Sequence, residues 1–312
     1  MSELFSHVLE AGDEGRKLEH ILRTRFHFSQ KLLRQLKDGE RVWLDGRFVY
    51  LNTCGLAGQR LTVDIANRET GLLTPEDLPV SVLYEDDCYL AVNKPAGQIV
   101  HPNAKYPAGS LGNAVAHYWR RKGEDRVFRP TSRLDRDTSG IVLIALNRYA
   151  QQQLGWRSKQ GTTEKLYLGL VSGVPSPETG LWDQPLGFHP GGGTRRAVRA
   201  DGQEARTGFR LRASYGNYSL VEFTLLTGRT HQIRAHAAAA GHPLLGDDMY
   251  GGSREFMPRQ ALHAFSYRFP HPLTGRPVHV TAPLPDDMAA LVPSDRRFVC
   301  PQVKKSSLGC PP

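Results

Sequence analysis

The sequence predicts an α+β chain: a mixed, mainly antiparallel sheet preceded by a small α/β module. Three observations predict this. From Val80 onward β-type runs dominate, and helical periodicity appears only in isolated stretches. Strands and helices do not alternate in regular βαβ units, which excludes the doubly wound parallel architectures. Residues 1–65 carry their own helix and hairpin signals, and a polar stretch without period sets them apart.

In that first unit Leu18, Ile21, Leu22 and Phe26 recur at helical spacing, so a helix is predicted over about Lys17 to Phe26. Ser29 stands where an N-cap belongs, Leu32, Leu33 and Leu36 form the inner face of a second helix, and Gly39 ends it. Arg41 to Leu44 and Arg47 to Tyr50 flank Asp45-Gly46, the signature of a hairpin with a type I′ turn. Arg60 to Ile65 adds a third strand. The pattern resembles the S4 RNA-binding module, with Ser29-Gln-Lys-Leu32 opening its second helix and Glu40 to Gly46 approximating its glycine-valine-asparagine-glycine stretch. The resemblance implies an RNA-binding face lined by Arg16, Lys17, Lys31 and Arg34.

Residues 66–79, with Gly71, Pro75 and Pro79, read as a linker, and residues 80–297 as the main domain. Strands are predicted over Val80 to Tyr84 and Tyr89 to Val92, around the acidic turn Glu85 to Asp87. Ser110 caps a helix running to about Arg121, and Ile141 to Leu146 is a buried strand. Lys165 to Val171 and Tyr218 to Leu226 follow as strands, and Thr230 to Ala240 as a helix closed by Gly241. Residues 298–312, with Lys304, Lys305 and two terminal prolines, are expected to be disordered.

The chain has 312 residues, 39% hydrophobic and 23% charged, which excludes a largely disordered protein. No apolar run approaches the roughly 18 residues of a membrane span. Glu3 and His7 interrupt any leader, so a cytoplasmic protein is expected. Cys54, Cys88, Cys300 and Cys310 lack metal-cluster spacing, and neither a metal nor a disulfide framework is expected. Net charge is +9, and 30 of the 40 basic residues are Arg, the side chain that pairs with phosphate and stacks on bases. The excess is concentrated: residues 101–160 carry eleven basic and four acidic side chains, whereas residues 66–100 carry two and six. A polyanionic partner is the favoured reading.

The densest chemical segment is Ser132-Arg-Leu-Asp-Arg-Asp-Thr-Ser-Gly140, which places two carboxylates and two guanidiniums within five residues before a buried strand. A carboxylate beside arginine stays ionised, which suits a nucleophile or a base. A surface ion-pair turn is the structural alternative for such a segment taken alone.

Its company decides the reading. Most of residues 80–290 resembles the RluA family of RNA pseudouridine synthases. Arg133 to Gly140 matches the arginine-leucine-aspartate, threonine-serine-glycine signature, which implies Asp135 as the catalytic residue. Asn93-Lys-Pro-Ala-Gly97 and Val100-His-Pro102 resemble the lysine-proline-glycine and histidine-proline segments, and His101 is expected to touch RNA. Lys165-Leu-Tyr-Leu-Gly169 resembles the strand whose tyrosine packs in the active site, implying Tyr167. Leu226-Thr-Gly-Arg-Thr-His-Gln-Ile-Arg234 and Gly241-His-Pro-Leu-Leu-Gly-Asp247 match the longest motif, and the aspartate's arginine partner maps to Arg229. His271 to Gly275 and Ala282 to Pro285 fit the closing strand. Ser132 departs from the His or Asn of many members.

The resemblance implies an antiparallel catalytic domain of pseudouridine synthase type, acting as a monomer on RNA without metal or organic cofactor. Large-subunit ribosomal RNA is the first expected substrate, with tRNA and a non-catalytic ribosome-assembly role as alternatives. Asp135 would attack a carbon or remove the C2′ proton, and the sequence leaves both open. Tyr167 would stack on uracil near C5, Arg229 would aim Asp135, and Arg133 would fill the space left by the extruded base. Arg195 and Arg196, after the Gly191 to Gly193 run, suggest a basic hairpin that clasps RNA. His231, His236 and His242 lack same-face metal spacing, and Lys94 beside Pro95 reads as a structural turn.

Overall fold

Two short helices, each apolar on one face only, must lay those faces against something. The computed structural model describes residues 4–37, 39–66 and 71–292. At its start come β1 (Leu4–Val8), α1 (Leu18–Thr24), α2 (Gln30–Lys37), β2 (Val42–Leu44), β3 (Arg47–Phe48) and β4 (Arg60–Asp64). The strands form an antiparallel sheet in the order β1-β4-β2-β3, and Leu18, Leu22 and Leu33 pack against Leu61 and Val63 of β4. The Ser29 hydroxyl accepts the Leu32 amide at 3.2 Å, as a cap should. Asp45 and Gly46 both have positive φ, 50° and 77°, as the type I′ turn requires. The sequence reading lacks β1, because Phe5 is the only residue of that strand that is buried.

The larger part contains β5 (Ser81–Glu85), β6 (Tyr89–Lys94), α3 (Leu111–Arg121), β7 (Ser139–Ala145), α4 (Arg148–Lys159), β8 (Glu164–Ser172) and β9 (Thr179–Trp182). The hairpin strands β10 (Leu186–Phe188) and β11 (Arg196–Val198) come next, then β12 (Thr207–Ser214), β13 (Tyr218–Leu225) and α5 (Gln232–Ala239). The chain continues through β14 (Leu262–Pro270), β15 (Pro277–Thr281) and α6 (Asp286–Ala289). One nine-stranded sheet runs β5-β6-β7-β14-β8-β13-β12-β9, with β15 beside β14. Only the β7–β14 pairing is parallel.

The position of β7 explains its unbroken apolar run. Every residue from Ser139 to Ala145 is buried. Val142 and Ile144 face a core with Leu111 and Trp119, while Ile141 and Leu143 face one with Tyr89 and Leu154. Each aliphatic side chain contributes about 1.5–3 kcal/mol by leaving water. Gly140 enters this strand at φ 109°, where a Cβ would sit 2.3 Å from the Ala264 carbonyl oxygen. Glycine there lets β14 approach the segment that carries Asp135.

Two elements begin or end differently from the sequence reading. The helix predicted from Thr230 starts at Gln232, because His231 is left-handed at φ 56°. Residues 271–275 form a turn and no strand, with Gly275 donating to the His271 carbonyl; the strands lie on either side as β14 and β15. Residues 71–79, read as a polar connection, lie along α3: Asn113 donates to the Thr74 carbonyl at 2.8 Å and the Glu76 carboxylate accepts from Gly109. The expected tail at 298–312 lies outside the described residues.

The amphipathic α4, which the sequence reading lacks, joins the two parts. Its Tyr149 belongs to the N-terminal core, packing edge-on to Phe5 and tilted against Phe28. Trp156 stacks on His27 at 3.9 Å, Gln153 donates to the Phe26 carbonyl, and Gln152 accepts the Ser29 amide.

Candidate active site

The turn before β7 needs an anchor, because it carries charge into a crowded region. Lys94, fully buried at the end of β6, supplies it. Its ammonium donates to the carbonyls of Pro95, Gln98 and Arg136 at 2.7–2.9 Å. Burial pushes its pKa down to about 7. The expected structural role of Lys94 is what the contacts give, and the residue it fixes is the immediate neighbour of Asp135. Arg136 turns outward and forks onto Asp137.

Asp135 is half-buried and receives one strong bond, from Arg234 Nη1 at 2.9 Å. The other edge of Arg234 is fixed by Asp247, with Nε and Nη2 donating to its two oxygens at 2.7 and 2.8 Å. Asp247 is 1% exposed. Burial alone would disfavour the charge, but the bonds to Asp247 and the nearness of both carboxylates raise the Arg234 pKa further. The guanidinium is therefore permanently charged and held from two sides.

This corrects the expected partner of Asp135. Arg229 is exposed and donates through Nε to the Glu204 carbonyl at 3.0 Å. Helical geometry gives the reason. Residues 227–231 form the loop before α5, and Gln232 organises it by accepting from the Arg229 amide and the Thr227 hydroxyl while donating to Arg206 and Thr207. Arg234 lies inside α5 on its buried face, so it reaches Asp135 while Arg229 stays on the rim.

His231 lies beside them, its Nε2 3.7 Å from Asp135. Its Nδ1 meets the Tyr250 hydroxyl at 3.0 Å, and that hydroxyl accepts the Arg196 amide. Burial lowers the His231 pKa against the pull of Asp135, so the ring is neutral at pH 7. His236 and His242 are bonded elsewhere, to Thr207 and Gln184 and to Ser172. Asp86, Cys88 and His271 bring ligand-type atoms within 4.8 Å of one another. The Asp86 oxygens are already occupied by the Cys88 and Tyr89 amides, the Tyr84 hydroxyl and His271.

Asp135 opens into a cleft of about 460 Å³ lined also by Arg133, Lys165, Tyr167, Arg229 and His231. Tyr167 is 6% exposed, and burial together with the Asp135 charge raises its pKa well above the usual phenol range. It is a protonated phenol at neutral pH. A second cleft of about 670 Å³ shares Arg133, Arg229 and Thr230 and extends beneath the β10–β11 hairpin. There Arg196 lies 3.6 Å over the exposed Phe188 ring; the neighbouring Arg195 lies over Tyr250.

Of the residues expected to touch RNA, Arg133 borders both clefts, Arg196 lines the second, and Arg195 lies over Tyr250 without lining either. Arg16, Lys17, Lys31 and Arg34 are exposed on the N-terminal part. His101 is exposed near Phe128 and lines neither cleft. The sequence reading missed Arg234, Asp247, Gln232 and Tyr250. The available signal was Asp247, a carboxylate inside a motif with no assigned partner.

The profile of the family described as RNA pseudouridylate synthase matches residues 88–239. The uncharacterized RNA pseudouridine synthase YhcT of Bacillus subtilis is 35% identical over 286 residues, 91% of this chain and 95% of that protein. The chain belongs to the RNA pseudouridine synthases. The ribosomal large subunit pseudouridine synthase D of Xanthomonas campestris is 35% identical over 309 residues, covering 93% of this chain and 92% of that one. Among solved structures, human RNA pseudouridylate synthase domain containing 1 superposes with a TM-score of 0.54 at 26% identity, over 68% of this chain and 86% of that one. The protein is thus an isomerase acting on RNA, and the expected α+β fold of pseudouridine synthase type holds. Among the described residues no helix is long and apolar enough to cross a membrane.

Proposed function

We propose that this synthase isomerises a uridine of large-subunit ribosomal RNA, with Asp135 as its catalytic carboxylate. One observation carries the assignment: Asp135 is the only carboxylate among the described residues lining the cleft, and a doubly anchored arginine aims it. A cleft with one acid lacks the paired carboxylates of a glycoside hydrolase. The ribosomal target rests on the names of relatives such as the Xanthomonas enzyme and its Haemophilus influenzae counterpart, the latter 34% identical over 294 residues.

The isomerisation breaks the bond between C1′ and N1, turns the base, joins C5 to C1′, and moves a proton from C5 to N1. Asp135 acts at the sugar, either on a carbon or on the C2′ proton, and Arg234 keeps it oriented. Tyr167 offers its ring to the flipped uracil. Being protonated, it serves the C5 proton as a relay and not as a standing base. Arg133 fills the vacated stack from the rim, and the S4-like N-terminal part adds phosphate contacts through Lys31 and Arg34.

Asp135→Asn tests the reading. The amide preserves shape but can neither attack nor take a proton, so pseudouridine formation should vanish while RNA affinity stays within about tenfold, roughly 1.4 kcal/mol. Isomerisation by the Asn variant would remove Asp135 from the reaction. Mapping pseudouridines in total RNA with and without the gene identifies the target.

A further inference from the structure

The reading above leaves one cation of the cleft without a task. Lys165 sits on β8 two residues before Tyr167, so both side chains leave the same face of the strand, and both line the Asp135 cleft. Arg133 and Arg229 are exposed at the rim, whereas Lys165 is half-buried, at the pairing of β8 with β14. Its ammonium is 4.9 Å from the centre of the Tyr267 ring. Among the described residues it makes no hydrogen bond and no ion pair. Lys94 is the contrast, since every one of its N–H bonds has a carbonyl.

Lys165 is half-buried, and an ammonium partly withdrawn from water with no protein acceptor gives up hydration that nothing in the free protein replaces. A fold tolerates that cost where an acceptor arrives with the substrate. Burial lowers the Lys165 pKa to about 8, so the group still carries its charge at pH 7. The aromatic face of Tyr267 holds it in place without saturating its donors.

We propose that Lys165 donates a hydrogen bond to a carbonyl oxygen of the flipped uracil and stabilises the negative charge the base carries while detached. This inference rests on the assignment of Asp135 and Tyr167 to the reacting nucleotide. When the C1′–N1 bond breaks, its electron pair stays on the base and spreads onto the carbonyl oxygens. When C5 joins C1′, the C5 proton departs and N1 takes one up, so the charge disappears. Lysine forms no covalent bond and ends the cycle as it began. An interaction that is strong only while the base is detached lowers the barrier without tightening RNA binding. It also keeps the base from leaving the cleft.

Single-turnover pseudouridine formation on large-subunit ribosomal RNA transcripts tests this, with Lys165→Met and Lys165→Arg compared to wild type and to Asp135→Asn. Lys165→Met should slow the step at least about 100-fold, about 2.7 kcal/mol. RNA affinity should stay within about threefold, and Tm should hold, because no hydrogen bond or ion pair is lost. Lys165→Arg should recover at least about tenfold of the loss, since it restores a donor cation. Transcripts containing 2-thiouridine or 4-thiouridine should react slowly with wild type, and one of the two sulfur effects should be absent in Lys165→Met. Turnover of Lys165→Met within about threefold of wild type, beside a dead Asp135→Asn, overturns the Lys165 assignment and leaves the site intact. A shared effect of phosphorothioates instead of base sulfur makes the ligand a phosphate and overturns it as well. A lowered Tm with lost RNA binding in both Lys165 variants makes the residue structural. Activity in Asp135→Asn removes the site on which the inference stands.

Discussion

Arg234 reaches Asp135 at 2.9 Å across 99 residues of sequence, while two further bonds tie it to Asp247. The catalytic turn and the helix α5 are thereby joined by one guanidinium that belongs to neither surface. Removing it unpairs two carboxylates at once. Arg234→Met should destabilise the fold by about 3–5 kcal/mol, because Asp247 is left buried and uncompensated. Arg229→Ala should shift stability by no more than about 0.5 kcal/mol, as exposed positions do. Denaturant unfolding of the two variants separates them, and equal losses would return Arg229 to the pairing role.

Tyr167→Phe keeps the aromatic face and removes the hydroxyl. Turnover should fall by about 10²–10⁴-fold, the range of a positioned proton-transfer group, with RNA binding retained. Tritium release from C5-labelled RNA is the direct readout. Wild-type release by the Phe variant would assign the C5 proton to another group.

Lys94→Met should be costly although Lys94 is placed outside the reaction. Three carbonyls lose their shared donor, so stability should fall by about 1–3 kcal/mol. Activity should drop further than RNA affinity, since Arg136 and with it Asp135 are released. Thermal unfolding and a binding titration read the two effects separately.

Acid should weaken the fold through His263. This ring is fully buried between Ser139 and the Ala282 carbonyl, and burial lowers its pKa to about 4. The unfolded imidazole binds its proton more tightly than the folded one, so protonation favours unfolding. Its contribution is complete above about pH 6.5 and is lost as pH falls toward about 4, by about 3 kcal/mol. His263→Gln should flatten the stability profile in that window. An unchanged slope would assign the acid sensitivity to other side chains.

The N-terminal face is tested by salt. Replacing Lys31 and Arg34 with alanine should make the slope of log affinity against log salt less steep by about 1.5 if both touch phosphates. Filter binding at several ionic strengths measures it, and an unaltered slope would exclude these residues from the RNA contact.

What could be read from the residues, and what could not, follows physical lines. The two N-terminal helices, the type I′ turn at Asp45-Gly46 and the Ser110 cap were legible because local chemistry determines them. The run at Ile141 was legible as a buried strand, but its parallel neighbour was not, since β14 lies more than a hundred residues away. Asp135 and Tyr167 were legible from their motifs and share one cleft. Arg229 and Arg234 look alike in the sequence, and only the start of α5 at Gln232 decides which one turns inward. Lys165 was visible only as the first residue of the motif that carries Tyr167, because a cation without a protein acceptor shows only once its surroundings are known.

The helix α4 fixes a distance. Tyr149 at one end is seated in the N-terminal core, and Ser158 at the other borders the Asp135 cleft. Nine residues of helix separate them, about 14 Å of rise. One helix therefore sets the spacing between the N-terminal core and the Asp135 cleft. Lengthening α4 by one turn, with both ends kept, would add about 5.4 Å to that spacing and leave either end unchanged.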